Sequence, residues 1–212
     1  MKSKRQNSFS AKLASRKAKK RHFPPRKPKN TEQRKREYLT DEEVRLLRKA
    51  ASRYGRHPLR DDAIILIMFR HGLRVSELTA LRWDQVDLKK GLLHVRRVKN
   101  SLPSTHPVRG IELRVLRQLQ RLYSHAPYVF VSENRAPLST RTIHNIIARA
   151  GRLANFSFTV HPHMLRHSTG FYLANHGQDT RAIQSYLGHA NITNTVMYTE
   201  LSPLRFKNFW PD

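Results

Sequence analysis

Seven consecutive residues, Ala63-Ile64-Ile65-Leu66-Ile67-Met68-Phe69, are apolar, and this run constrains the fold more than any other stretch of the chain. Wound as a helix it has no polar face to turn to water, so it belongs inside a core. Other elements must enclose it. Thr40 with Glu43 three residues on forms a capping box ahead of Val44, Leu46 and Leu47, which predicts a helix over about 40–52. After Gly72, Leu78 and Leu81 at i, i+3 spacing predict a short helix from Val75 to Leu81, with Arg74 at its start. From Leu92 to Val98 the pattern changes to alternation, and beyond Asn100-Ser101-Leu102-Pro103 a second extended piece, Thr105 to Val108, pairs back as a hairpin. Val115, Leu116, Leu119 and Leu122 make a helical stripe, Tyr128 to Val131 a short strand, and Ile143, Ile146, Ile147, Ala150 and Leu153 another stripe. Three shorter helices fit 163–175, 180–187 and 192–199, separated by His176-Gly177 and Gly188-His189. The expected fold is mainly α with a small antiparallel β-sheet and no internal repeat.

Charge narrows the partner. Lys and Arg number 41 against 15 Asp and Glu, a formal balance of +26, and neither folding nor solubility requires so large an excess of one sign. A polyanion does. Residues 1–38 hold 15 of the basic and two of the acidic residues, so half of the excess lies in a segment with Pro24, Pro25, Pro28 and few apolar residues. Such a segment is expected to be a disordered basic tail until it meets phosphate, followed by one compact domain over 39–200 and a C-terminal segment, 201–212. The 212 residues with 38% hydrophobic content suffice for that single domain and its extensions. No stretch approaches the roughly 18 consecutive apolar residues of a membrane span, and the N-terminus lacks the apolar centre of a signal peptide. A soluble, cytoplasmic protein with no membrane partner is expected. The absence of cysteine excludes disulfides, cysteine zinc sites and a thiol nucleophile.

The heptad His161-Pro162-His163-Met164-Leu165-Arg166-His167 sets three histidines and an arginine beside a proline able to start a helix. On that helix His163 and Arg166, at i, i+3, share a face. His163 and His167, at i, i+4, have the spacing of two metal ligands, but a zinc site needs a third ligand and usually a catalytic carboxylate, and neither is at hand. Taken alone, the heptad also fits histidines that merely satisfy a core or a helix end.

It does not stand alone. The order Arg74, Lys99, His163-x-x-Arg166, His189, Tyr198 resembles the active-site series of the tyrosine recombinases, the phage-integrase family. His71-Gly72-Leu73-Arg74-Val75-Ser76-Glu77-Leu78 resembles the segment around that family's first arginine. His163 to His167 resembles its second box, and Leu187-Gly188-His189 followed nine residues later by Tyr198 its third. The resemblance covers about residues 39–200 and implies the tyrosine recombinase catalytic-domain fold. It also implies an enzyme that cuts and rejoins DNA without metal or ATP, with no cofactor.

The resemblance assigns roles. Tyr198 is the nucleophile that forms a 3′-phosphotyrosyl link conserving the bond energy, with Tyr186 and Tyr172 the next candidates. Arg74 and Arg166 clamp the phosphate with guanidinium forks. Lys99, beside Arg96 and Arg97, protonates the 5′-oxygen leaving group. His163 takes the tyrosine proton or orients the phosphate, and His189 donates to a non-bridging oxygen. Glu77 braces the site from behind, or forms a surface ion pair worth under about 1 kcal/mol.

Most members of the family carry a separate DNA-binding domain ahead of the catalytic one, whereas here only the basic tail precedes Thr40. The small bacterial recombinases that invert a promoter segment to switch fimbriae on and off are similar in this respect. The run Lys99 to Val108, with Ser104-Thr105-His106-Pro107, and the segment His161 to Ser168 resemble that subgroup. The implied partners are double-stranded DNA with inverted-repeat sites, a homotetramer on DNA, accessory DNA-bending proteins and the nucleoid. Two other readings stay open: a type IB-like topoisomerase, and a non-catalytic regulator with a helix-turn-helix around 163–187.

Overall fold

In the computed structural model, which describes residues 36–97 and 102–200, the apolar run lies within helix α2 (Pro58–His71) after α1 (Asp41–Tyr54). Ala63 through Met68 are at most 1% exposed. Pro58 opens α2 at a position where its missing N–H costs nothing, and Gly72 closes it in the left-handed region at φ +58°. The capping box of α1 forms as expected: the Glu43 N–H donates to Thr40 Oγ1 at 3.3 Å, and the Thr40 N–H to Glu43 Oε2 at 2.8 Å. The fold reaches back before Thr40. Arg36 grips both oxygens of Glu43 at 2.7 Å, Tyr38 packs on Phe171 with ring centroids 4.0 Å apart, and the Leu39 N–H donates to Ser168 Oγ at 2.8 Å. Expectations for the tail up to residue 35, for Lys99 and for segment 201–212 lie outside the described residues.

The enclosure is completed by α3 (Val75–Thr79), α4 (Ile111–Leu122), α5 (Thr140–Leu153), α6 (Pro162–Asn175), α7 (Thr180–Leu187) and α8 (Thr193–Glu200). Helices α1, α4 and α6 pack directly on α2. Strands β1 (Val86–Asp87), β2 (Leu92–Val95) and β3 (Ser104–Pro107) form an antiparallel sheet in that order, with Leu92 opposite Pro107 and Val95 opposite Ser104. Alternation along β2 turns Leu93 and Val95 inward and His94 outward. The same period carries Arg97 inward just beyond the strand.

Two strand expectations change. Tyr128 to Val131 is not a strand: Tyr128 bridges only to Arg82, and Val131 only to Pro137. Each partner comes from a different segment and lasts one residue, so no ladder can run, although Val129, Phe130 and Val131 are fully buried. The two-residue β1 was not anticipated, because an alternation needs more residues than that to be seen.

Candidate active site

Helix α3 is positioned at its first turn by the residues it presents. Arg74 is the N-cap; its N–H donates to Glu77 Oε2 at 2.9 Å and its Nη1 to Glu77 Oε1 at 2.8 Å. The same carboxylate accepts Arg97 Nη1 at 2.8 Å. Glu77 and Arg97 side chains are 1% and 0% exposed, whereas Arg74 is 32% exposed. A buried carboxylate thus joins two guanidiniums, one sealed inside and one reaching the surface. Burial works against the charge on Glu77, but Arg97 and the hydrogen bonds from Arg74 outweigh it and hold the carboxyl below its usual range. Arg97 also donates to the Tyr186 carbonyl. Gly188, at φ +66°, lets it pass: a Cβ there would sit 2.9 Å from Arg97 Nε and 3.0 Å from Cγ.

Arg166 is 2% exposed and is held by carbonyls at two turns of the chain. Nη1 donates to Gly72 O and Nη2 to Leu187 O, the residues ending α2 and α7. Burial, with the charges of Arg74 and Arg97, lowers its pKa to about 9, so it stays cationic at neutral pH. His189 follows Gly188, and its Nδ1 lies 2.8 Å from Thr195 Oγ1. Burial and the positive charges of Arg166, Arg74 and Arg97 depress its pKa to about 3. A neutral His189 that accepts the Thr195 hydroxyl proton at Nδ1 carries its own proton on Nε2, as a donor to an oxyanion must.

Tyr198, on α8, is 1% exposed. Its ring lies against α6, where Gly170 makes the approach possible: a Cβ on that residue would come 2.5–2.7 Å from the tyrosine ring. Phe171 meets the ring edge-on at 5.1 Å, and His167 Nδ1 stands 2.9 Å from the phenolic oxygen. Burial, the largest influence, pushes the Tyr198 pKa up to about 12 although Arg166 pulls the other way.

Known proteins are similar to this chain in sequence and in fold. The phage integrase family matches residues 37–205, and the type 1 fimbriae regulatory protein FimB of Escherichia coli K12 is 42% identical over 181 residues, 83% of this chain and 90% of that one. The chain belongs to the phage integrase family. FimE of the same strain is 39% identical over 182 residues, 83% of this chain and 91% of its own length. The crystal structure of XerA recombinase superposes with a TM-score of 0.71 at 31% identity, covering 82% of this chain and 65% of that one. The fold is therefore that of a tyrosine recombinase catalytic domain.

Within this integrase fold Arg74, Glu77, Arg166, His189 and Tyr198 gather around the ends of α2, α6 and α7, and the charges of Arg74 and Arg166 act directly on His189. His163 is exposed on α6, its ring centroid 4.4 Å from that of His167. Arg166, three residues on in the same helix, is buried, because α6 is more fully covered there than at its first turn. Two residues escaped the sequence reading. Arg97 was legible in the inward phase of Leu93 and Val95. His167 was read as a metal-ligand candidate and as the end of the second box; among the described residues no group of three or more His, Cys, Asp or Glu is placed to hold a metal ion, and His167 is one turn short of Phe171 on the face that Tyr198 covers.

A buried chain lies beside the site. His71 Nε2 is 2.9 Å from Glu112 Oε1, His71 Nδ1 is 3.1 Å from His106 Nδ1, and His106 Nε2 is 2.8 Å from Ser104 Oγ. Tyr186 stacks on His106 at 3.8 Å. These contacts tie α2, β3, α4 and α7 together next to Gly72. Burial and the nearby His71 and Arg97 lower the His106 pKa to about 3.

Proposed function

We propose that this integrase-family protein cuts and rejoins duplex DNA at paired inverted-repeat sites, inverting the segment between them as a fimbrial phase switch. The observation that carries the chemistry is the set formed by half-buried Arg74, carbonyl-held Arg166, neutral His189 and Tyr198 around one locus. Breaking a phosphodiester needs a nucleophile, cations for the charge gained by the phosphate, and a proton for the leaving oxygen. Arg74 and Arg166 supply the cations, with Glu77 and Arg97 fixing Arg74 from behind. His189 donates from Nε2 to a non-bridging oxygen, Tyr198 attacks phosphorus, and Lys99 protonates the 5′-oxygen. The similarity to FimB and FimE over most of both chains supports the inversion and the bacterial cytoplasm as its place. No helix among the described residues is long and apolar enough to cross a membrane.

On this reading the basic tail lies along DNA phosphates, segment 201–212 docks on a neighbouring subunit in a tetramer, and DNA-bending proteins assist at the nucleoid. The experiment mixes the purified protein with a supercoiled plasmid bearing inverted repeats from the DNA flanking its gene and scores inversion by restriction digest. Inversion by the natural chain and none by Tyr198→Phe is the expected result. Relaxation without inversion would make the enzyme a topoisomerase instead.

A further inference from the structure

We propose that His167, and not the exposed His163 to which the resemblance gave this step, is the base that takes the Tyr198 proton as the phosphotyrosyl bond forms. The inference rests on Tyr198 being the nucleophile. Residues 167, 170 and 171 lie at i, i+3 and i+4, one face of α6, and each meets a different part of the tyrosine. His167 Nδ1 is 2.9 Å from the hydroxyl. Gly170 leaves the space that the ring fills, since any Cβ there would collide with it at 2.5–2.7 Å. Phe171 walls the ring edge at an interplanar angle of 78°. The face is a seat shaped for this side chain, with its polar member at the end where chemistry would occur.

The phenol needs such a partner. Burial drives its pKa up to about 12, Glu37 adds to the rise and Arg166 opposes it, so at neutral pH the unassisted phenolate is on the order of one molecule in 10⁵. His189 is a poor base for it: its Nδ1 is engaged by Thr195 and its surroundings hold its pKa near 3. With its ring proton on Nε2, His167 presents an acceptor at Nδ1. The phenol O–H bond breaks and an N–H bond forms on Nδ1. The phenolic oxygen bonds to phosphorus, the P–O5′ bond breaks with its electron pair, and the 5′-oxygen takes a proton from Lys99. Rejoining runs in reverse, and the imidazolium returns the proton to the departing phenolate.

The test is single-turnover adduct formation on a nicked suicide duplex, with thermal melting and half-site binding confirming that each variant is folded. His167→Ala and His167→Asn are compared, because Asn keeps a hydrogen-bonding group near the Nδ1 position but cannot accept the proton. General-base loss typically costs about 10²- to 10⁴-fold, so both variants should slow by at least about 10²-fold. The defect should persist when the 5′-bridging oxygen is replaced by sulfur, which removes the need for the leaving-group acid. Tyr198→3,5-difluorotyrosine, whose phenol ionises more readily, should recover much of the rate of His167→Asn. Asn restoring the rate that Ala loses would make His167 an orienting group, and sulfur rescuing both variants would move its action to the leaving group. Either result overturns the inference, as does a rate near that of the natural chain in both variants. Peptide mapping separates the two readings: an adduct on Tyr198 with an indifferent His167 sinks the base, whereas an adduct on Tyr172 or Tyr186 sinks the nucleophile.

Discussion

The two halves of the site are built on cores of very different size. Arg74, Glu77 and Arg166 grow out of helices anchored in the main core, which runs from Leu39 through α2 to Leu165 and holds thirty buried apolar residues. Tyr198 belongs to a separate cluster of five: Phe171, Ala174, Ile183, Leu187 and Tyr198 itself. The half with Arg74 and Arg166 is fixed by ion pairs and carbonyls that join distant segments, and the half with Tyr198 by one helical face and a short α8. On the proposed function, rigid cations and a lightly anchored Tyr198 suit a reaction in which the tyrosine must bond to DNA and later leave it, because low local stability permits local opening.

Glu77→Ala should break the first half most severely. It leaves Arg97 buried without its carboxylate, and removing one partner of a buried pair costs about 3–5 kcal/mol. Urea unfolding should report that loss, and adduct formation should fail because Arg74 also loses its brace. A variant as stable as the natural chain would show that the pair does not hold α3.

Gly170→Ala should separate the halves. The new methyl displaces the Tyr198 ring, so adduct formation falls by at least about 10²-fold, a loss typical of a misplaced reacting group. The main core is not touched, and melting should shift by only a few degrees. A large loss of global stability with intact chemistry would reverse the comparison.

Both halves also bear on pH dependence. His106 and His189 have folded pKa values of about 3 against 6.5 when unfolded. Between those values the unfolded chain binds more protons, so stability is complete above about pH 6.5 and is lost as pH falls toward 3. Equilibrium unfolding across pH 4–7 measures the slope. His106→Gln should lower the proton uptake on unfolding near pH 5 by about one, and an unchanged slope would show that His106 is not buried neutral.

Most of the fold was legible because its signals are local. The capping box at Thr40, the apolar run at α2, the glycines at 72 and 188 and the helical stripes of α4 and α5 each declare an element within a few residues. The segment Tyr128 to Val131 misled because burial and apolar content look like a strand, whereas strand identity depends on a partner that sequence does not display. At the site, motif order singled out Arg74, Glu77, Arg166, His189 and Tyr198 as candidates, and the structure places them around one locus. Arg97 and His167 were overlooked because their importance lies in what they touch: a carboxylate 20 residues away in one case, a phenol 31 residues away in the other. The chain Glu112–His71–His106–Ser104 is likewise a product of packing between four elements.

The account depends above all on Tyr198 carrying the DNA. The most direct measurement traps the covalent complex on a nicked duplex, digests protein and DNA, and maps the modified peptide by mass spectrometry. A nucleotide joined through its 3′-phosphate to Tyr198, absent in Tyr198→Phe, is the predicted result; modification of any other residue, or an undiminished adduct in that variant, would contradict it.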